Sequence, residues 1–261
     1  MSVLDVERGL VAHDQTVVVS GNRIVAVGPT PRIPKGARVI DARGKFLIPG
    51  LWDMHTHSLD RWAWSSLLNV ANGVTGIRDP GAVKPEHEIV ELRRAVERGT
   101  AFGPRVVASG RIIDGTPKSR DTYVAIDSPA AMRAEMQRRQ RAGLDFIKVY
   151  TQLSRDVFVA AADEARRLDM PLAGHVPLAI TAAEASDLGM RSIEHAYRHR
   201  LSCATGEEEI RRQLRSLVTL RAQGEDQRYA ATKDSAFVLG LNTYSPDRCR
   251  QLGERFARNG T

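Results

Sequence analysis

Aromatic residues and long apolar runs are scarce in this sequence. Phe, Trp and Tyr make up 5% of its 261 residues, and no apolar run approaches the roughly 18 residues of a membrane-spanning helix. Residues 1–9 carry neither the basic nor the apolar segment of a signal peptide. We therefore expect no membrane partner and a cytoplasmic location; a secreted or periplasmic location stays open if further residues precede Met1.

Lysine and cysteine are also rare. Six of the 38 basic residues are lysines, so 32 are arginines, and the net charge of +7 raises the question of nucleic-acid binding. The basic residues are scattered along the chain and few aromatic side chains accompany them, so we expect no nucleic-acid partner. Cys203 and Cys249 are too few for a disulfide framework, and we expect buried or free thiols.

The first fifty residues have the pattern of short β-strands. The run "TVVVSGNRIVAVG" is β-branched on both sides of Gly21-Asn22, a turn dipeptide, and predicts a hairpin. The run "ARVIDARGKFLIPG" predicts two more short strands around residues 42–44. Residues 1–50 are therefore predicted to form a small β-sandwich subdomain.

From residue 51 onwards, strand patterns alternate with helix patterns. This alternation predicts a parallel sheet with right-handed crossovers, an α/β fold of the (β/α)8 TIM-barrel type. Residues 51–261 supply about six of the eight strand–helix units, so the barrel is expected to be incomplete. The predicted strands are 51–57, 73–79, 104–110, 145–150, 170–176 and 190–196. The predicted helices are 86–98, 129–142, 154–168, 181–188, 207–223 and 246–258, with 224–245 irregular.

Histidines stand near the ends of three predicted strands. His55 and His57 share one parity with Asp53, so on a strand all three would point to the same face. His175 and His195 each come near the carboxyl end of a later strand, and these ends gather at one face of a parallel barrel. Imidazole binds zinc well, so the pattern predicts a metal site. A bare His-x-His is common, and only its combination with the later histidines makes the metal reading the stronger one.

Lys148 lies inside the apolar strand pattern "FIKVY". Burial disfavours the ammonium and lowers the pKa of a lysine, and a neutral amine can react with carbon dioxide to give a carbamate. A carbamate is a carboxylate and can bridge two divalent ions. The competing interpretation is a lysine that reaches solvent from a strand end.

Taken together, "FLIPGLWDMHTH", "GVTGIRD", "DFIKVY", "LAGHV" and "SIEHA" resemble, in order, the strand motifs of the amidohydrolase superfamily. Within it, the chain looks most like the imidazolonepropionase-related, prolidase-like metal-dependent hydrolases. The resemblance runs from the β-subdomain through the sixth strand.

The resemblance implies a binuclear centre with two divalent metal ions, zinc by preference. One ion would be held by two histidines of the first strand and the other by two histidines of later strands. An N-carboxylated lysine would bridge them. The implied ligands are His55, His57, Lys148, His175 and His195.

The resemblance also implies an activity. A hydroxide between the metals would attack an amide carbonyl, and Tyr150, two residues beyond Lys148, is a candidate donor to the substrate. We expect a small-molecule substrate, a dipeptide or N-acyl amino acid, and homo-oligomerisation stays open. The alternatives are a cyclic-amide, lactone or phosphotriester hydrolase on the same scaffold, or a non-catalytic fragment or pseudoenzyme.

The superfamily pattern includes an aspartate at the end of an eighth strand. No aspartate of this sequence occupies that place, because the pattern stops after the sixth unit. We therefore expect a C-terminally truncated barrel and a chain that is weakly active or inactive alone.

Overall fold

The computed structural model describes residues 1–196 and 201–261. It divides the chain into two compact units, Met1–Leu51 and Trp52–Thr261. The strands are β1 Ser2–Asp5, β2 Leu10–Ala12, β3 Thr16–Ser20, β4 Arg23–Gly28, β5 Phe46–Leu47, β6 Leu51–Asp53, β7 Val74–Asp79, β8 Arg105–Ala108, β9 Ile113–Asp114, β10 Val124–Ala125, β11 Ile147–Val149, β12 Leu172–Gly174 and β13 Met190–Ile193. The helices are α1 Trp62–Ala71, α2 Glu86–Glu97, α3 Pro129–Ala142, α4 Arg155–Leu168, α5 Ala182–Asp187, α6 Glu207–Ala222, α7 Asp226–Asn242 and α8 Pro246–Asn259.

The first unit is built from short strands. β3 and β4 form the predicted antiparallel hairpin, which closes with Ser20 opposite Arg23. β1 pairs with β2 antiparallel and with β5 parallel. Of the two strands predicted in residues 37–50, only β5 is present in the described structure. Val39 and Ile40 are 72% and 71% exposed, and without a neighbouring strand their β-branched character does not produce a ladder.

The strands of the second unit are parallel and form two sheets, β6-β7-β8 and β10-β9-β11-β12-β13. Helices follow most strands, so the predicted α/β fold with a parallel sheet is confirmed. Within residues 1–196 and 201–261 the strands do not close into a barrel. The two sheets meet where Asp145 N donates to Ala108 O (3.0 Å) and Ala108 N donates to the Asp145 carboxylate (2.9 Å).

Local signals explain the helix boundaries. α3 begins after Ser128, whose hydroxyl accepts from Ala131 N, and Pro129 occupies its first turn, where a missing N–H costs nothing. It ends at Gly143, whose φ of 88° suits a glycine. α3 and α4 pack on the strands around a core that includes Met132, Met136 and Phe158. A second cluster surrounds Ile77, Ile89 and Val106 beneath α2.

The prediction that residues 224–245 are irregular is wrong, because α7 spans Asp226–Asn242. This helix buries one residue, Ala236, among those described. It therefore lacks the apolar stripe by which a helix is recognised in a sequence. Residues 111–127, which lie between the predicted strand 104–110 and the predicted helix 129–142, contain the two-residue strands β9 and β10, and neither was predicted.

The expectation of free thiols is also wrong. Cys203 and Cys249 form a disulfide between residues 46 positions apart. α6 and α7 lie between them and bring the start of α8 back to the segment before α6. Ser245 N donates to Cys203 O (2.9 Å) at the same place. No helix in the described residues is long and apolar enough to cross a membrane.

Candidate functional site

His55 and His57 lie just beyond the end of β6. The prediction that both stand on the strand is wrong, because β6 ends at Asp53. The Asp53 carboxylate accepts from His55 N (3.0 Å) and turns the chain, while Thr56 N still donates to Arg78 O (3.1 Å) beside β7. The two imidazole rings are 5.3 Å apart, edge to face.

Lys148 occupies the middle of β11 and is 1% exposed. Tyr150 follows the end of that strand, and its ring stacks on His175 with centroids 4.1 Å apart. His175 comes directly after β12, where Gly174 has a φ of 138°. A Cβ at Gly174 would lie 2.1 Å from Val149 O, so the two strands can run this close only with glycine there.

His195 follows β13 with a φ of 65°, a left-handed conformation that is costly for a residue with a Cβ. This turn brings its ring to 4.2 Å from His55 and 5.3 Å from His175, measured between centroids. His199, which follows the sixth predicted strand and is a further candidate from the sequence for this pocket, lies outside the described residues.

The side chains from these four segments face one cavity of about 400 Å³. The structure therefore brings all six sequence-predicted site residues together, although up to 140 positions separate them in the chain. The described residues that line the cavity are His55, His57, Gly81, Ile112, Arg120, Tyr123, Lys148, Tyr150, His175 and His195.

Glu194 is a site residue that the sequence reasoning missed. Its carboxylate is 7% exposed as a residue and accepts from His55 Nδ1 at 2.5 Å and from Arg78 Nη1 at 2.9 Å. Burial raises the pKa of Glu194, but the cations of Lys148 and Arg78 and the bond from His55 outweigh it and lower the pKa to about 2. Glu194 is therefore ionised at neutral pH. The only signal in the sequence was its position beside His195.

Asp79, at the end of β7, is the carboxylate nearest to His57, but it makes no hydrogen bond with that imidazole. It is fully buried and lies 3.7 Å from His57 Nδ1. Backbone N–H groups of Leu59 and Gly81 donate to it at 3.0 Å each. These bonds fix the carboxylate, so that His57 packs against a held negative charge.

Burial sets the protonation of the two central groups. It lowers the pKa of Lys148 to about 8, which Glu194 partly opposes and Arg78 reinforces. Burial also lowers the pKa of His55, against the hydrogen bond that His55 donates to Glu194, and the nearby Lys148 adds to the lowering. A fraction of Lys148 is thus a neutral amine near pH 8, the form that carbamate formation requires.

The donor chemistry of this cavity fits a divalent metal ion. Imidazole nitrogens suit zinc, and the carboxylate beside His55 Nδ1 is the usual outer partner of a ligating histidine, which leaves Nε2 for the metal. Among the described residues, however, no three His, Cys, Asp or Glu side chains are already arranged around one point. Closing such a set requires rotation of the imidazoles or an oxygen ligand on Lys148.

The sequence profile of the amidohydrolase family matches residues 46–224. This range holds the whole cavity and covers more than half of the chain. The chain belongs to the amidohydrolase family.

The individual relatives of this amidohydrolase either match a short stretch of the chain or match a longer stretch at lower sequence identity. The imidazolonepropionase of Rubrobacter xylanophilus is 41% identical over 54 residues, 18% of this chain and 13% of the relative. A Bifidobacterium longum structure assigned as a prolidase superimposes with a TM-score of 0.63 at 27% identity, over 74% of this chain and 52% of the other. A prolidase solved with N-methylphosphonate-L-proline gives a TM-score of 0.62 at 23% identity, over 100% and 75%.

The chain thus spans about half the length of the Bifidobacterium longum protein. The prediction of an amidohydrolase with imidazolonepropionase-like and prolidase-like relatives is confirmed. The ligand roles of the individual residues stay predictions.

Proposed function

We propose that this chain carries the binuclear metal centre of an amide hydrolase. His55, His57, His175 and His195 would hold the ions through their imidazoles, and an N-carboxylated Lys148 would supply a further oxygen ligand. The observation that supports this best is the gathering of four imidazoles and one buried amine, from four separate segments, around one cavity. Zinc is the metal that these donors favour.

Bound divalent ions lower the pKa of a coordinated water and polarise a substrate carbonyl. The protein's own residues position the ligands. Glu194 holds His55 through Nδ1, and Arg78 keeps Glu194 in place. Asp79 packs against His57. The depressed pKa of Lys148 makes its amine available for carboxylation at neutral to mildly alkaline pH.

Tyr150 is the proposed hydrogen-bond donor to the substrate. Its ring is stacked on His175 and contacts the ring of Tyr123 at 5.0 Å. Burial, followed by the neighbouring Tyr150, raises the pKa of Tyr123 to about 12. Tyr123 therefore keeps its proton throughout the neutral range and can donate to its neighbour or to a substrate oxygen.

The proposed substrates are dipeptides or N-acyl amino acids. A structural relative assigned as a prolidase and another that binds a phosphonate derivative of proline support this class. Cyclic amides are the second candidate, because a stretch of the chain is 41% identical to an imidazolonepropionase.

The test is hydrolysis by the purified chain. Metal is removed with a chelator, bicarbonate is added, and zinc is titrated back in the presence of Xaa-Pro dipeptides, N-acyl amino acids and dihydrouracil. We expect slow, zinc-dependent release of the amino acid, in keeping with the weak activity expected of an incomplete barrel, lost in His57→Ala and retained in His87→Ala, an exposed histidine on α2. Equal turnover with chelator present, or in His57→Ala, would contradict the proposal. Cleavage of dihydrouracil alone would select the second candidate.

Carboxylation of Lys148 has its own readout. The zinc-loaded chain in ¹³C-bicarbonate should show a carbamate carbon resonance that Lys148→Met lacks. A resonance of equal intensity in both proteins would remove Lys148 from this role.

A further inference from the structure

A second cavity, of about 780 Å³, adjoins the one that holds the histidines. Arg120, Tyr150, His175 and His195 line both cavities. The two cavities therefore meet at these four residues, and Arg120 stands where they meet. Of the four described residues that line both cavities, Arg120 is the one whose side chain is positively charged at every physiological pH.

The loop that carries Arg120 is held by its own hydrogen bonds. The buried carboxylate of Asp114 accepts from Ser119 N and Gln152 N at 2.7 Å each. Lys118 Nζ donates to Asp121 O (2.7 Å), and Tyr123 N donates to Arg120 O (3.1 Å). These bonds fix the backbone on both sides of Arg120 before any ligand arrives.

The Arg120 guanidinium makes no ion pair with a carboxylate in the described parts of the chain, although Asp121 lines the larger cavity too. Other arginines of the same unit are neutralised: Arg78 pairs with Glu194, Arg93 with Asp145 and Arg138 with Glu86. Arg120 is exposed, and the hydrogen bonds of its loop hold its backbone. A cation at the junction of two cavities, without an acidic partner, is the arrangement that recognises an anionic group of a ligand.

Part of the lining of the larger cavity is apolar. α6 contributes Leu214, Leu217 and Val218, and α7 contributes Tyr229. A ligand that places a negative charge at Arg120 thus has an apolar surface beside it.

We propose that Arg120 binds the free carboxylate of the substrate, and that the α6 wall takes an apolar group of the same molecule. This rests on the proposed function and narrows it to amides that carry one carboxylate and one apolar group, such as N-acyl amino acids with a bulky acyl group. Arg120 is then the residue that makes the site prefer acids over neutral amides of the same shape.

The test measures binding without turnover. The metal-free chain, kept in chelator, is titrated by calorimetry with N-benzyloxycarbonyl-L-proline and with its carboxamide. Because Arg120 is exposed, an ion pair with it is worth up to about 1 kcal/mol, which predicts that wild type binds the acid about 2- to 5-fold more tightly than the carboxamide. Arg120→Gln should bind both equally, and Arg120→Lys should retain part of the preference.

Arg105→Gln is the matched control. Arg105 is exposed at the start of β8, away from the carboxyl ends of the strands, and its removal changes the net charge by the same amount. It should keep the full preference. The apolar residues of α6 are tested with Leu217→Ala. This variant should bind N-benzyloxycarbonyl-L-proline several-fold more weakly than wild type and should bind N-acetyl-L-proline with unchanged affinity.

An unchanged preference for the acid in Arg120→Gln, an equal loss in Arg105→Gln, or no binding of the acid to wild type would overturn the inference. The hydrolase proposal is judged separately by zinc-dependent cleavage. If Arg120→Gln loses the preference for the acid and no cleavage is seen with any substrate, the anion site is supported and the hydrolase proposal is contradicted. If zinc-dependent cleavage is seen but Arg120→Gln keeps the preference for the acid, the hydrolase proposal is supported and the anion site is contradicted.

Discussion

Replacing Glu194 by glutamine separates the charge of this carboxylate from its shape. In the structure its oxygens accept from His55 Nδ1 (2.5 Å), from Arg78 Nη1 (2.9 Å) and from the Ser192 hydroxyl (3.0 Å). Glutamine has nearly the same volume and retains one oxygen as an acceptor. It loses the negative charge that makes the imidazole of His55 more basic and fixes its tautomer.

The magnitude follows from these contacts. Loss of the outer partner of a ligating histidine costs about 10- to 100-fold in metal affinity, or about 1.4 to 2.7 kcal/mol. Arg78 keeps a bond to Met54 O (3.2 Å) and lies over the Phe146 ring at 4.3 Å. We therefore expect a loss of about 1 to 3 kcal/mol in the free energy of unfolding, the range for a weakened buried hydrogen bond. The larger loss that follows when a buried charge is left without its ion-pair partner is not expected.

Zinc affinity is measured by competition with a chromophoric chelator, and stability by urea unfolding of the metal-free chain. Glu164→Gln is the matched control, because Glu164 is also buried and charged, bonded to Gln137 and Arg167 on the outer side of α4. Both variants should be destabilised, but only Glu194→Gln should lose zinc affinity. Equal losses of affinity would show that stability alone controls binding and would refute the reasoning.

Three further predictions concern stability. Cys203→Ser with Cys249→Ser should lower the free energy of unfolding by up to about 4 kcal/mol, because the disulfide closes a loop with 46 residues of separation; thiol titration of the denatured wild type should find no free thiol, and two free thiols would contradict the bond. In the metal-free chain the folded pKa of Lys148, about 8, lies below its ordinary 10.5, so the unfolded state holds the proton more tightly. The free energy of unfolding of wild type, relative to that of Lys148→Met, should therefore rise by about 3 kcal/mol from pH 8 to 10.5. A difference between the two proteins that stays constant over this pH range would contradict the prediction. Gly174→Ala should lose more than 1 kcal/mol, since the new methyl group meets Val149 O at 2.1 Å; an unchanged urea midpoint would show that the strands can separate freely.

The predicted cytoplasmic location is still a prediction, and the disulfide weighs against it. Disulfides persist mainly in oxidising compartments. This bond could not be predicted from the sequence, because two cysteines 46 positions apart can be paired only after the path of the intervening chain is known.

Much of the fold could be predicted because its signals are local. α3 has a capping serine, a proline in the first turn and a closing glycine, and β11 has apolar residues on both sides of Lys148. α7 could not be predicted, because its apolar residues do not fall on one face and little of it is buried. The exact end of β6 was missed for a similar reason: the alternation of Asp53, His55 and His57 continues after the strand has ended.

The sequence by itself determined the chemistry that this amidohydrolase carries. It contains the histidines, the lysine in an apolar strand and the strand–helix alternation that brings strand ends together, and each of these depends only on neighbouring residues. Tertiary structure alone decided which groups act on one another. Glu194 reaches His55 from 139 positions away, and Arg120 reaches the histidine cavity from a loop whose path is fixed by the buried Asp114. Charges, burial and hydrogen bonds act over a few ångströms of space, whatever the distance along the chain.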